Sequence, residues 1–305
     1  MITIIGSGKV GSTTALFLAL KKLDERIALF DIQKNLALGE ALDLNHSLSA
    51  QGIDVEITGT NDYNEINNSK IVILVAGSGR KSGMSRLDLL STNSKIITGV
   101  VQNITKHSPE SILIPVTNPL DPITYITYKV SKFIKNRVIG MGNMLDLARF
   151  KNLIHMATNC SSNSISSLVI GEHGENMLPL TRYTTLSGIP LEHVISKNIL
   201  ENIIQKTKEA ASYVINLKGA TEYAPAIAIT SIVESIIKNK RQIIPISAYL
   251  DGEYGFRDVT IGVPAVIGKN GIEKIIELDL NQEEKEKLKK AVENIKNAIN
   301  SLNNN

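Results

Sequence analysis

The chain has 305 residues, 33 basic against 30 acidic side chains, 43% hydrophobic and 21% charged residues, and a single Cys. That balance is too apolar for disorder, and a net charge of +3 is too weak a bias to point to nucleic acid. No apolar run reaches the ~18 residues of a membrane span. The sequence opens directly on strand-like MITII, so no signal peptide is expected, and the lone Cys160 suits a reducing cytoplasm.

In chain order, β-branched runs at Ile2–Ile5, Arg26–Phe30, Ile53–Ile57, Lys70–Val75, Ser111–Val116 and Arg137–Gly140 predict six strands. Amphipathic stretches such as Val10–Lys22 and Leu87–Lys106 lie between them. Strand, helix and strand repeated this way imply right-handed crossovers, hence a Rossmann-type doubly wound parallel sheet. IVILVA and ILIPV are apolar on both parities, as strands covered on both faces should be. Near residue 144 the rhythm changes. Helices are predicted at Leu145–Met156, Leu191–Leu217, Thr221–Asn239 and Glu283–Leu302, with fraying at Asn303–Asn305. Strands are predicted at Ile165–Ile170, Ile243–Tyr249 and Val259–Ile267, the last two antiparallel. The expected organisation is a dinucleotide-binding domain over 1–143 and an α+β catalytic domain with antiparallel strands over 144–305.

Gly6-Ser7-Gly8-Lys9-Val10-Gly11 follows the first strand and opens a helix. The first Gly permits a tight turn, the second lets backbone approach a pyrophosphate, and the third allows close helix packing. The helix N-terminus then offers unpaired N–H groups to phosphate. A tight turn alone would use the same glycines, but Asp31 ends the second strand 20 residues after Gly11, where a carboxylate accepts hydrogen bonds from a ribose diol. That charge would repel a 2′-phosphate, so NAD is expected over NADP, with Lys34 keeping NADP open.

AGSGRKSGMSRLDLL, residues 76–90, leaves the fourth strand with three Gly, two Arg and a Lys. It reads either as a solvated basic loop or as a lid over an anion at the C-terminal edge of the sheet. With VTNPLD at 116–121, LDLARF at 145–150, GEHGE at 171–175 and KGATEYAP at 218–225, the chain resembles the lactate/malate dehydrogenase family. The motifs stand in that family's order and spacing and, with the glycine fingerprint, span most of the chain. Within the family the resemblance is closest to the lactate-dehydrogenase-like malate enzymes. It implies a reversible NAD-dependent oxidation of (S)-malate to oxaloacetate in the tricarboxylic acid cycle, no metal, and a homotetramer or homodimer. The apolar faces of Ala41–Leu48 and Tyr223–Ile237 would serve subunit contacts or the subunit's own core.

His173, set between Gly171 and Gly174, has an imidazole that titrates near working pH. The resemblance makes it the proton donor and acceptor, with Asp146 as its orienting carboxylate. Arg149, three residues after Asp146, reads alone as half of a surface ion pair. The resemblance makes it the partner of the substrate's C1 carboxylate. It also implies that Asn118, in a cis Asn118-Pro119 peptide, bonds substrate and cofactor, and that Asn93, Val116 and Thr117 line the nicotinamide. Arg86 would polarise the carbonyl, and Arg80 would pair with the second carboxylate of a dicarboxylate, where pyruvate-reducing relatives carry Gln.

Several positions depart from the pattern. Gly79 and Ser82 replace frequent prolines, so a more mobile lid is expected. Glu175 replaces a frequent Asp, and Asn143-Met144 replaces smaller residues. Thr221 also occurs in lactate enzymes and keeps L-lactate dehydrogenase as the alternative. A non-catalytic NAD-binding module would not need Asp146, Arg149, His173 and two lid arginines together. An NAD-dependent glycoside hydrolase would need a metal held by Cys and His, and Cys160 has no neighbouring His at ligand spacing.

Overall fold

The computed structural model describes residues 1–79 and 83–303. Arg80, Lys81, Ser82, Asn304 and Asn305 lie outside the described residues, and with them the expectations for Arg80, the Ser82 part of the lid, and fraying at the last two positions.

The first half builds a five-stranded parallel sheet in the order β3-β2-β1-β4-β5. Its strands are β1 (Ile2–Ile5), β2 (Arg26–Phe30), β3 (Glu56–Thr60), β4 (Ile71–Leu74) and β5 (Ile112–Pro115). Helices α1 (Lys9–Leu20), α2 (Lys34–Ala50), α3 (Arg86–His107) and α4 (Leu120–Ser131) follow the strands. β1, β4 and β5 are buried along their whole length, which is why their sequences are apolar on both parities. The order reverses between β1 and β4, so the loops leaving these neighbours diverge and open a crevice at the carboxyl ends of the strands.

Two strand expectations need correction. β3 begins at Glu56, not Ile53, because the apolar alternation of Ile53, Val55 and Ile57 runs on into a segment that has not yet reached β2; pairing starts where Glu56 lies beside Arg26. Arg137–Gly140 is not a sixth strand. Lys135–Arg137 is a 3₁₀ turn, and the residues after it run beside two sheets in succession. Ile139 and Met141 donate to Leu113 and Pro115 of β5, while Gly140 exchanges both backbone bonds with Ser247 of the second half. The segment stitches the two halves together.

The second half begins with α5 (Met144–Thr158). The expected strand Ile165–Ile170 breaks into β6 (Ile165–Ser166) and β7 (Val169–Gly171), which join different sheets. β6 pairs with β9 (Thr185–Leu186), which pairs with β10 (Ile189–Pro190). β7 lies between β8 (Met177–Pro179) and the long β12 (Arg257–Gly268), which also pairs with β11 (Gln242–Asp251) and β13 (Gly271–Ile275), all antiparallel. The expected helix Leu191–Leu217 starts later, as α6 (Lys197–Lys218), after a separate 3₁₀ turn at Leu191–His193. α7 (Tyr223–Ile237) and α8 (Gln282–Asn303) complete the chain.

One apolar cluster runs through both halves, from Ile4, Ile73 and Ile114 to Ile229, Ile232 and Val263. Each such buried side chain stabilises by about 2 kcal/mol, so the halves hold each other rigidly. α8 adds to this by burying Leu288, Val292 and Ile295 in that cluster and packing Ala298 and Leu302 on a second cluster beneath α3 and α4. On α2, Ala41 and Leu48 are buried in the subunit's own core, while Leu36, Leu38 and Leu42 are exposed. On α7, Ile229, Ile232 and Val233 are buried while Tyr223 and Ile227 face out.

Candidate active site

At the end of β1 the backbone turns through Gly6 at φ +108°, where a Cβ would lie 2.8 Å from the Ala76 nitrogen. A Cβ on Gly11 would lie 1.9 Å from the Gly6 carbonyl oxygen, so that glycine seats α1 against the turn. Gly8 faces open space and is the N-cap of α1, with no side chain capping the helix. Lys9 and Val10 open the helix, so its first N–H groups are available to an anion in front of Gly8. The buried Ser7 donates its N–H to Asp31 Oδ2 at 2.8 Å, and Gln33 N–H donates to Oδ1 at 2.9 Å. These bonds fix the Asp31 carboxylate at the end of β2 beside the glycine turn. Ser7 Oγ is buried without a hydrogen-bond partner among the described residues.

Across the crevice, Val116 and Thr117 donate their N–H groups to Leu74 O, and Thr117 Oγ1 donates to Ala76 O at 2.7 Å. Asn93, 1% exposed on α3, accepts from Ser78 N–H at 2.7 Å and donates to Ser78 O and to Asn118 O. It therefore clamps the loop after β4 to the loop after β5. The Asn118-Pro119 peptide is cis, and the Asn118 side chain is exposed at the crevice edge.

The second half supplies the titratable groups. His173, in the turn between β7 and β8, directs Nδ1 at Asp146 Oδ2, 2.7 Å away, and Arg149 Nη1 donates to Asp146 Oδ1 at 3.2 Å. One turn of α5 thus holds a carboxylate that is 0% exposed and a guanidinium beside it. Burial alone would push the Asp146 carboxyl up, but the His173 and Arg149 charges outweigh it and hold it below the usual carboxylate range. Burial alone would draw His173 down; Asp146, by charge and hydrogen bond, and then Asp121 outweigh it and raise it above an ordinary imidazole. Arg149 is lowered by its burial, with Asp146 opposing.

Some structural partners were not assigned a role in the sequence. Asp121 accepts His173 N–H at 2.8 Å and Ser247 Oγ–H at 2.6 Å, so this wholly buried carboxyl anchors the histidine turn to α4 and β11. Burial pushes it up to about 6, against these two hydrogen bonds. Its signal was a carboxylate set among Leu120, Pro122 and Ile123 at the start of an apolar helix. Asn143 donates Nδ2–H to Asp146 Oδ2 at 3.1 Å. Arg86, at the head of α3, pairs with Glu175 at 2.7 Å, which ties the loop after β4 to the His173 turn. Thr221 Oγ1 is buried without a hydrogen-bond partner among the described residues.

The structure thus brings His173 and Arg149 each into contact with Asp146, joins Arg86 to the His173 turn through Glu175, and sets Asn93, Asn118 and the glycine turn along the crevice. A cavity lined by Lys22, Asp24, Asp54 and Lys70 lies at the other, amino-terminal edge of the sheet and holds none of these groups. Among the described residues, no group of three or more His, Cys, Asp or Glu is placed to hold a metal ion, and no helix is long and apolar enough to cross a membrane.

Two family descriptions match the chain: "lactate/malate dehydrogenase, NAD binding domain" over residues 1–140, and "lactate/malate dehydrogenase, alpha/beta C-terminal domain" over residues 143–305. The chain is 45% identical to a malate dehydrogenase of Bacillus cytotoxicus and 44% identical to one of Bacillus subtilis, in each case over 99% of this chain and 97% of the relative. The fold superposes on the crystal structure of Cryptosporidium parvum malate dehydrogenase with a TM-score of 0.96 at 37% identity, covering 100% of this chain and 99% of that one. It superposes equally on the apo form of Picrophilus torridus malate dehydrogenase, with a TM-score of 0.96 at 38% identity, covering 99% and 97%.

Proposed function

The chain belongs to the lactate/malate dehydrogenase family, and from that premise we propose that it catalyses the reversible NAD-dependent oxidation of (S)-malate to oxaloacetate. The observation that carries the reading is the His173–Asp146–Arg149 constellation, buried beside a crevice that a dinucleotide fits. The fit rests on Gly8 facing open space before an uncapped helix and on Asp31 held at the adjoining strand end. Gly6, Ser7, Gly8, Lys9, Val10 and Gly11 would receive the pyrophosphate and Asp31 the ribose diol, which favours NAD over NADP.

NAD held by these residues would supply the hydride acceptor for malate oxidation and, in its reduced form, the hydride donor for oxaloacetate reduction. His173 Nε2 takes the hydroxyl proton during oxidation and gives it back to the carbonyl oxygen during reduction. Asp146 holds the other ring nitrogen and stabilises the imidazolium. Arg149 pairs with the C1 carboxylate; among the described residues Asp146 is its one hydrogen-bond partner, which leaves donors for a ligand. Arg86 exchanges Glu175 for the substrate oxygen and polarises it. Arg80 pairs with the second carboxylate. Asn118 bonds substrate and cofactor, while Asn93, Val116 and Thr117 shape the nicotinamide side.

The same reading divides the chain into a cofactor domain over 1–143 and a catalytic domain over 144–305. It places the protein in the cytoplasm as a homotetramer or homodimer. Leu38, Leu42, Tyr223 and Ile227 supply exposed apolar surface for that assembly. The test is kcat/KM for NADH oxidation with oxaloacetate and with pyruvate on one preparation. A preference for oxaloacetate of about 10³-fold or more is expected from a charge pair that pyruvate cannot complete, and Arg80→Gln should collapse it. A pyruvate preference would assign the chain to L-lactate oxidation, with Thr221 outweighing Arg80.

A further inference from the structure

Asn143 occupies the N-cap position of α5 yet makes no capping bond with its side chain. An Asn there ordinarily accepts from the N2 or N3 amide. Here the side chain is turned the other way. Nδ2–H donates to Asp146 Oδ2, the oxygen that also receives His173 Nδ1. The residue is 0% exposed, and its Oδ1 is buried without a hydrogen-bond partner among the described residues. Forgoing the cap and leaving a carbonyl oxygen orphaned are both unfavourable, and the hydrogen bond to the Asp146 carboxylate is what offsets them.

The neighbouring strand makes room for this orientation. A Cβ on Gly262 of β12 would lie 1.7 Å from Asn143 Oδ1. The glycine thus lets the amide oxygen rest against the strand while the nitrogen points at Asp146.

We propose that Asn143 is a positioning residue of the proton relay, fixing the Asp146 carboxylate and drawing off part of the negative charge that it offers to the His173 imidazolium. The proposal rests on the dehydrogenase reading above and deepens it. The charged groups facing the imidazole are Asp146 and Arg149 from α5 and Asp121 from α4, with Glu172 beside it in the chain and Arg86 paired to Glu175 further along the turn. Asp146 and Asp121 raise His173, and Arg149 lowers it. An N–H dipole with its positive end at Asp146 acts in the same direction as Arg149, so it trims the imidazolium's stability and keeps the neutral ring accessible to take the hydroxyl proton during oxidation.

The test compares wild type with Asn143→Ala and Asn143→Leu, the leucine keeping the volume and denying water the place of the lost donor. The His173 titration is read in the resting protein by NMR of ¹³C-labelled histidine, and kcat/KM for oxaloacetate reduction is followed against pH. Both variants should titrate about half a pH unit higher, a threefold change in the proton equilibrium, with the alkaline limb of the rate profile displaced equally. A thermal melt of each variant identifies the folded ones. A folded leucine variant whose His173 titrates as in wild type, or lower, overturns the proposal, whatever its kcat. The titration needs no substrate, so a wild-type chain without oxaloacetate reduction would sink the dehydrogenase reading and leave Asn143 to be judged by NMR alone.

Discussion

Asp146 and Arg86 are two charged groups of one site held in opposite ways. Asp146 is 0% exposed and takes hydrogen bonds from His173, Arg149 and Asn143. Arg86 is 50% exposed and is held by Glu175, itself 77% exposed. A buried carboxylate with three donors has one orientation and is costly to disturb, whereas an exposed ion pair is worth about 0–1 kcal/mol and is readily exchanged. The difference assigns the parts. On the proposed reading, the His173–Asp146 pair is set before substrate arrives, and Arg86 is free to change partner as substrate enters.

The comparison is broken most severely by His173→Asn, which keeps a donor toward Asp146 but removes the proton carrier. We expect kcat to fall by about 10³-fold in both directions, with NADH binding, followed by fluorescence titration, unchanged. Retention of more than a tenth of the activity would place the proton carrier elsewhere. Next comes Arg149→Lys, which keeps the charge and loses the planar fork. Its expected cost is about 2 kcal/mol, or thirtyfold, carried mainly by KM for oxaloacetate. The smallest effect is expected from Glu175→Gln, which releases Arg86. KM for oxaloacetate should change by less than about threefold, as for an exposed pair. A tenfold change would show that Glu175 belongs to the preorganised part of the site.

Much of this architecture was legible in the sequence because it rests on local signals. Strands apolar on both parities, glycines at fixed spacing and a carboxylate at the end of the second strand depend on residues close in the chain. α3, α5, α7 and α8 begin and end within about two residues of the apolar periodicity, the usual scatter of helix ends. What the sequence hid depends on distant partners. Arg137–Gly140 reads as a strand, but its hydrogen bonds are divided between β5 and β11, over 100 residues apart in the chain. Asp121 was visible only as part of a motif; its role as anchor requires His173, 52 residues on, and Ser247, 126 residues on. Asn143 stood out as unusual, but the room for its amide oxygen is left by Gly262 on the distant strand β12. The pairing of Arg86 with Glu175 joins an exposed helix start to an exposed turn and left no periodic trace.

The central claim, that a preorganised His173–Asp146 pair stores the proton of the reaction, is tested most directly by the wild-type pH profiles of kcat/KM in both directions. His173 is raised above the ordinary 6.5 chiefly because Asp146 overcomes the effect of burial. Reduction of oxaloacetate needs the imidazolium, so its rate should be level below that pKa and fall as pH rises through it. Oxidation of malate needs the neutral ring and should rise over the same interval. The account predicts mirror-image limbs sharing one apparent pKa above 6.5. Limbs that move in the same direction, or a shared pKa below 6.5, would contradict it.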